Sequence, residues 1–544
     1  MRRVGLLLAT GLLATGCTTS TAIQLRAGDP AAEPGGALRV ALTEPGSIDP
    51  GNVYEPAGEL IARTLCTPLL GTDPETSELL PSIATSYLVS DGGTSISLRL
   101  RDDVVFSDGT PLTARDVAFT LSRVASADYA STSAERLSPI DGYAQIHADV
   151  PTDQDVERQR LRGVSVRDDQ NIQIQLTEPL SDFVRVLGSP LLSPVSEKAA
   201  RADPEAFARQ PVCVGPYQLE KPYTAGDDTL RLVRSSAYTP VDTARTRGGV
   251  SYADSIDIRI YDDAAGAAAA VVAGQADVAP ARPTDTASVK VGAGPAVEYL
   301  GLPTSVPAFQ DFRLRQAVAL SIDREELVRR VFPGTRVAAH GFLPQTSEAD
   351  DRCALLPSRG NLAQAQTLLS EAGTDLRGVR VPFYFNNELR NGALVREIAR
   401  QLRAGIGLTA IPVPLTFQDY LTKASSTQGF DGLFRFSWSV PYADVDGYLH
   451  PLFSSDRIGR DNLSRFSDPG VDRALDRVAR EADDDVDRAL GYKQVTDRLC
   501  EQLPMVPLTT ALSRWLVADT VGAAGGQYVD GSTGQVLLRE LYLR

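Results

Sequence analysis

A chain of 544 residues is too long for one hydrophobic core and calls for two or three domains. Its 69 acidic residues outnumber 54 basic ones, a net charge of −15, which argues against a nucleic-acid-binding face and against electrostatic adhesion to anionic lipid. The histidines, at 147, 340 and 450, lie far apart and no Cys-x-x-Cys spacing occurs, so neither a zinc site nor a redox pair is indicated.

In chain order, Arg2 and Arg3 precede an apolar run, Val4 to Leu13, far short of the ~20 residues that span a bilayer. That is the pattern of a secretory signal. Ala14-Thr15-Gly16-Cys17 then resembles the bacterial lipobox. The resemblance implies cleavage before Cys17, with residues 1–16 as signal peptide and Cys17 diacylated. Acyl chains at ~0.8 kcal/mol per buried CH₂ would hold the protein at a membrane. The other reading is an ordinary cleaved signal peptide with Cys17 incidental. Residues 17–36, rich in Thr, Ala, Gly and Pro, suit a flexible tether.

Strand-like and helix-like segments alternate beyond the tether, which predicts a mixed α/β protein. Ser95 to Leu100 places Ile96, Leu98 and Leu100 on one face of a strand. Asp108-Gly109 supplies a turn, and Thr113 with Asp116 starts a helix whose buried stripe is Val117, Leu121 and Val124. Ile172, Ile174 and Leu176 alternate as another strand. Ala264 to Ala273 reads as a helix stopped by Gly274, followed by a short strand at Asp277-Val278-Ala279. Asp323 caps a further helix with Glu326 at its third position. Ala363 to Ala372, stopped by Gly373, and Val471 to Glu481 also read as helices. Four cysteines, Cys66, Cys213, Cys353 and Cys500, remain after Cys17. An even count in an exported chain favours two disulfides, and three pairings are open.

Reaction motifs are lacking. There is no Gly-x-Ser-x-Gly elbow, no P-loop and no His-Glu-x-x-His helix, and Gly292-Ala293-Gly294 lacks the third glycine of a dinucleotide fingerprint. The chain is expected not to be an enzyme, and no metal or cofactor is expected.

The order of several blocks carries a resemblance. They are Gly36 to Val40 with Ile48-Asp49-Pro50, then Leu98 to Arg101 running into Phe106-Ser107-Asp108-Gly109-Thr110-Pro111-Leu112-Thr113-Ala114-Arg115-Asp116-Val117. Gly215-Pro216-Tyr217, Gly274-Gln275-Ala276-Asp277, Phe312 to Asp323, Ala363 to Gly373, Phe430-Asp431 and Trp438 follow. In this order they resemble the family 5 extracellular solute-binding proteins, which include dipeptide-, oligopeptide- and nickel-binding lipoproteins of ABC importers.

The resemblance implies a two-lobed periplasmic-binding-protein-like α/β fold with an extra subdomain. Residues 37–75, 191–299 and 506–544 would form lobe I, 76–190 its extra subdomain and 300–505 lobe II. A two-segment hinge would close the cleft between lobes on a ligand. By lobe assignment, Cys66 would pair with Cys213 and Cys353 with Cys500. The implied function is an exported, lipid-anchored, monomeric receptor on the extracytoplasmic face of the cell membrane. It would hand peptides to an ABC permease and ATPase. The alternatives are a non-peptide solute such as haem, a sugar or an amine-lacking metabolite, and an envelope protein of this fold that no longer transports.

A peptide would add as a strand along Phe436-Ser437-Trp438-Ser439. Arg435 would meet a carboxylate, and Tyr129 aligns with a tyrosine-bearing loop of peptide binders. Relatives carry an Asp three residues after the Trp, where this chain has Pro441. Asp444 or Glu44 would then pair with the ligand's amine, or the ligand lacks one. Replacing Cys17 by Ser is expected to move the protein from the membrane fraction to the soluble one. Membrane retention of that variant would contradict the lipid anchor.

Overall fold

The computed structural model describes residues 32–73, 78–129, 131, 133–148, 160–180, 183–240, 251–345, 347, 351–388, 390–440, 445–481 and 485–544. The signal peptide, Cys17, most of the tether, Pro441 and Asp444 lie outside the described residues. Among the described residues no helix is long and apolar enough to cross a membrane.

The local signals become elements much as written. Ser95–Leu100 is a strand with Ile96, Leu98 and Leu100 at most 2% exposed. It sits in a four-stranded antiparallel sheet ordered Ala84–Ser90, Ser95–Leu100, Asn171–Gln175, Val164–Val166. Helix Ala114–Ala125 packs against this sheet through Val117, Leu121 and Val124. Its capping box is present, with the Thr113 N–H donating to the Asp116 carboxylate at 3.0 Å. The Ala-rich helix spans Ala264–Val272, and Gly274 after it takes φ 70°, a left-handed conformation that a side chain would strain. Asp323 caps helix Arg324–Val331 by accepting from the Glu326 N–H at 2.7 Å.

A larger, 11-stranded mixed sheet organises the molecule. Two antiparallel strands of 13 residues each, Val289–Gly301 and Met505–Val517, lie at its middle. On one side follow Val278–Pro280, Ala37–Thr43, Ser255–Tyr261, Thr229–Arg234 and Tyr217–Leu219. On the other follow Leu433–Trp438, Arg380–Asn386 and Thr409–Leu415. The first half of the chain therefore supplies one wing of the sheet and the second half the other. Only the two long strands belong to both, and their register shifts between Ala293 and Val297 and again between Glu298 and Tyr299. Such a bulge bends a strand. Strand Arg336–Ala338 pairs separately with Met505–Val517.

Burial follows this division only in part. One apolar cluster gathers residues of 38–65, 195–258 and 515–541. Another runs through the small sheet and the 297–508 half. Buried arginines pin main-chain carbonyls between segments. Arg324, fully buried, donates to the Pro507 carbonyl at 2.9 Å and the Pro357 carbonyl at 3.2 Å. Arg539 donates to the carbonyls of Arg63 and Cys66. Burial pushes the Arg324 pKa down to about 9 and that of Arg539 to about 10, so both stay charged at neutral pH.

Cys66 is bonded to Cys213 and Cys353 to Cys500, each with Cα atoms 5.4 Å apart. Each bond joins residues 147 apart in sequence, a long loop to constrain in the unfolded chain. Removing either bond by a double Cys→Ala change should lower unfolding free energy by about 2–5 kcal/mol in urea titrations. A loss below about 0.5 kcal/mol would show that the bond constrains nothing of consequence.

Candidate functional site

Strand Leu433–Trp438 borders the two long strands and has an edge that the sheet does not use. It pairs antiparallel with Val289–Gly301 along its length, from Gly301 opposite Phe434 to Val297 opposite Trp438. On its other edge it pairs with Arg380–Asn386 only at Leu433 and Phe434. From Arg435 to Trp438 that edge has no ladder partner among the described residues. Alternation sends Phe434, Phe436 and Trp438 to one face and Arg435 and Ser437 to the other.

The polar face is built around Glu298, 1% exposed, on the neighbouring long strand. Arg435 donates to it bidentately, through Nε to Oε1 and through Nη2 to Oε2 at 2.9 Å. Arg336 brings Nη2 within 3.6 Å of Oε2 and donates through Nη1 to Thr509 at 3.4 Å. Arg435 Nη1 donates to the Asn386 side-chain Oδ1 at 3.2 Å, and Tyr420 donates its hydroxyl to the Arg435 main-chain carbonyl at 2.6 Å. Burial works against the Arg435 charge, but the Glu298 carboxylate outweighs it and holds the pKa above the ordinary value. For Arg336 burial prevails and the pKa is lowered.

The apolar face carries Trp438, half-buried and held by a hydrogen bond from Nε1 to the Gly447 carbonyl at 2.8 Å. Its ring stacks on Phe436, with centroids 5.8 Å apart and planes 22° from parallel. Ser437 is half-buried and Ser439, just past the strand, is exposed. Beside Arg336 lies a groove of about 550 Å³ whose walls include Val328, Arg329, Val337, His340 and Gln345.

The residues expected to bind ligand fall into separate groups. Phe436, Ser437, Trp438 and Ser439 stand together. Arg435 stands with them, but the bidentate edge reserved for a ligand carboxylate is filled by Glu298. Through this pair Arg435 ties its strand to the next one. Tyr129 packs its ring on the Arg123 guanidinium, 4.0 Å from the ring centroid, and Arg123 in turn pairs with Asp49. Burial raises the Tyr129 phenol pKa. Glu44 is exposed and accepts from the Gly226 N–H at 2.7 Å. Sequence reading passed over Glu298, Arg336, Asn386 and Tyr420. Only Glu298 left a trace, as a carboxylate inside the apolar stretch Val297-Glu298-Tyr299-Leu300. Among the described residues, no group of three or more His, Cys, Asp or Glu is placed to hold a metal ion.

Comparison with known proteins places this geometry. The family model described as bacterial extracellular solute-binding proteins, family 5 middle, matches residues 78–460. The glutathione-binding protein GsiB of Escherichia coli strain K12 is 24% identical over 479 residues, covering 85% of this chain and 86% of the relative. Among solved structures, the unliganded open form of the periplasmic murein tripeptide binding protein MppA superposes with a TM-score of 0.78 at 21% identity, over 95% of this chain and 98% of that one. The periplasmic binding protein DppA of Helicobacter pylori, in complex with the peptide STSA, superposes with a TM-score of 0.67 at 20% identity, over 94% and 99%.

Replacing Glu298 by Gln removes the carboxylate that Arg435 and Arg336 share. The variant should lose about 3–5 kcal/mol of stability, the cost of breaking a buried pair. A Tm within a degree of the parent protein would show that Glu298 does not hold these strands together.

Proposed function

We infer that this chain, which belongs to the family 5 bacterial extracellular solute-binding proteins, captures peptides for an ABC importer. The family is one of two-lobed binders rather than enzymes, and its members work outside the cytoplasm. The step from solute to peptide rests on the edge of Leu433–Trp438 that has no ladder partner from Phe436 onward among the described residues. An extended peptide presents the same N–H and C=O spacing as a strand, so it can complete the ladder whatever its side chains. That MppA and DppA are peptide binders supports the reading.

In this reading the long strands Val289–Gly301 and Met505–Val517 are the hinge between lobe I (37–75, 191–299, 506–544) and lobe II (300–505), with 76–190 as the extra subdomain. Bending at their bulge would close the cleft. Cys17 carries the lipid anchor, which keeps the receptor beside its permease and ATPase.

A second reading keeps the scaffold and changes the cargo to a solute without charged ends. Two observations favour it. Pro441 replaces the acid that would meet an α-amine, and Arg435 is already neutralised by Glu298.

Native mass spectrometry of the mature protein, followed by denaturation, separates the two. Release of a mixture of short peptides is expected. A single non-peptide species would overturn the peptide reading while leaving the binding scaffold. Trp438→Ala should weaken capture at least tenfold by calorimetry, as loss of a central aromatic anchor does.

A further inference from the structure

We propose that Phe436 and Trp438 form a subsite that selects a planar, aromatic side chain on the captured peptide. This rests on the peptide reading above and adds a preference that the open strand edge alone would not give.

The argument starts from the row of rings on one face of Leu433–Trp438. Phe434 is fully buried and stacks on Phe430 with centroids 4.7 Å apart, and Tyr420 packs on Phe430 at 5.0 Å. Next along the same face come Phe436 and Trp438, stacked on each other but only half-buried. The row therefore begins in the core and ends partly open. Two adjacent rings left partly open beside a free strand edge are an unfinished stack.

The pair is also fixed in place. Trp438 is tethered by Nε1 to the Gly447 carbonyl. Phe436 and Trp438 sit two residues apart on a strand whose other edge is fully paired, so neither backbone position can slip. The platform is thus formed before any ligand arrives, which lowers the ordering cost of binding.

A peptide strand added to the free edge would run about 4.8 Å away. Every second side chain would fall on the aromatic face, with Cβ atoms roughly 4.5–5.5 Å from those of Phe436 or Trp438. That is the reach at which rings pack edge-to-face or offset, at centroid distances of about 4.5–7 Å. The charged groups of this strand do not compete, because Arg435 projects to the other face and is held by Glu298. An aliphatic or charged side chain over the same rings would gain less than a ring would.

The test uses four tripeptides: Ala-Ala-Ala and the three in which Phe replaces Ala at one position. Calorimetry on the mature protein should show at least one Phe peptide binding about tenfold tighter than Ala-Ala-Ala. In Phe436→Leu, which keeps an apolar side chain and removes the ring, the ratio of Phe-peptide to Ala-Ala-Ala affinity should fall to about twofold, whatever the change in Ala-Ala-Ala affinity itself. Thermal melting checks that the variant is folded. Preference retained in Phe436→Leu, or no preference in the parent protein while Ala-Ala-Ala binds, would overturn the subsite alone. Failure of all four peptides to bind, with a non-peptide solute released in mass spectrometry, would overturn the peptide reading itself.

Discussion

One carboxylate, that of Glu298, is shared between two arginines from distant parts of the chain. Arg336 and Arg435 come from strands on opposite sides of the long central pair, and both reach the same buried group. A carboxylate at 1% exposure is tolerable only when its charge and lone pairs are matched. The match fixes how Leu433–Trp438 lies against Val289–Gly301, and so fixes the free edge and the rings beyond it. The same pairing uses the guanidinium edge that would otherwise be offered to a ligand. The strand's charge thus serves architecture.

Edges are treated differently across the large sheet. Thr409–Leu415, the outermost strand beside Arg380–Asn386, carries Pro412 and Pro414. Each proline removes a donor, which discourages a further strand from pairing there. Near the middle of the same sheet, Phe436 to Trp438 has no ladder partner on that edge among the described residues.

Arginine does more than balance charge here. With only five lysines in the chain, the buried cations are arginines that clamp carbonyls from separate segments. The planar guanidinium can serve two or three acceptors at once, which a single ammonium on a flexible stem does less rigidly. Arg324 ties the start of its helix to the long strand Met505–Val517, and Arg539 ties the C-terminal segment to the end of helix Pro56–Leu65. Each wing is stiffened internally, while the bulge at Ala293–Val297 lies in a strand that belongs to both.

The sequence by itself determined the local elements, because hydrophobic period, caps and terminal glycines act over a few residues. Ser95–Leu100, the Thr113–Asp116 box and the stop at Gly274 needed nothing distant. The order of the family blocks carried the fold class, and the resemblance pointed to Phe436-Ser437-Trp438-Ser439 as a strand. Tertiary structure alone decided what Arg435 does, since its partner lies 137 residues away on a strand that only the sheet brings alongside. It also decided which strand edge stays free, because a ladder that ends at Phe434 is a property of two segments meeting. Periodicity along a chain reports one segment's burial, whereas ion pairs and open edges exist only between segments.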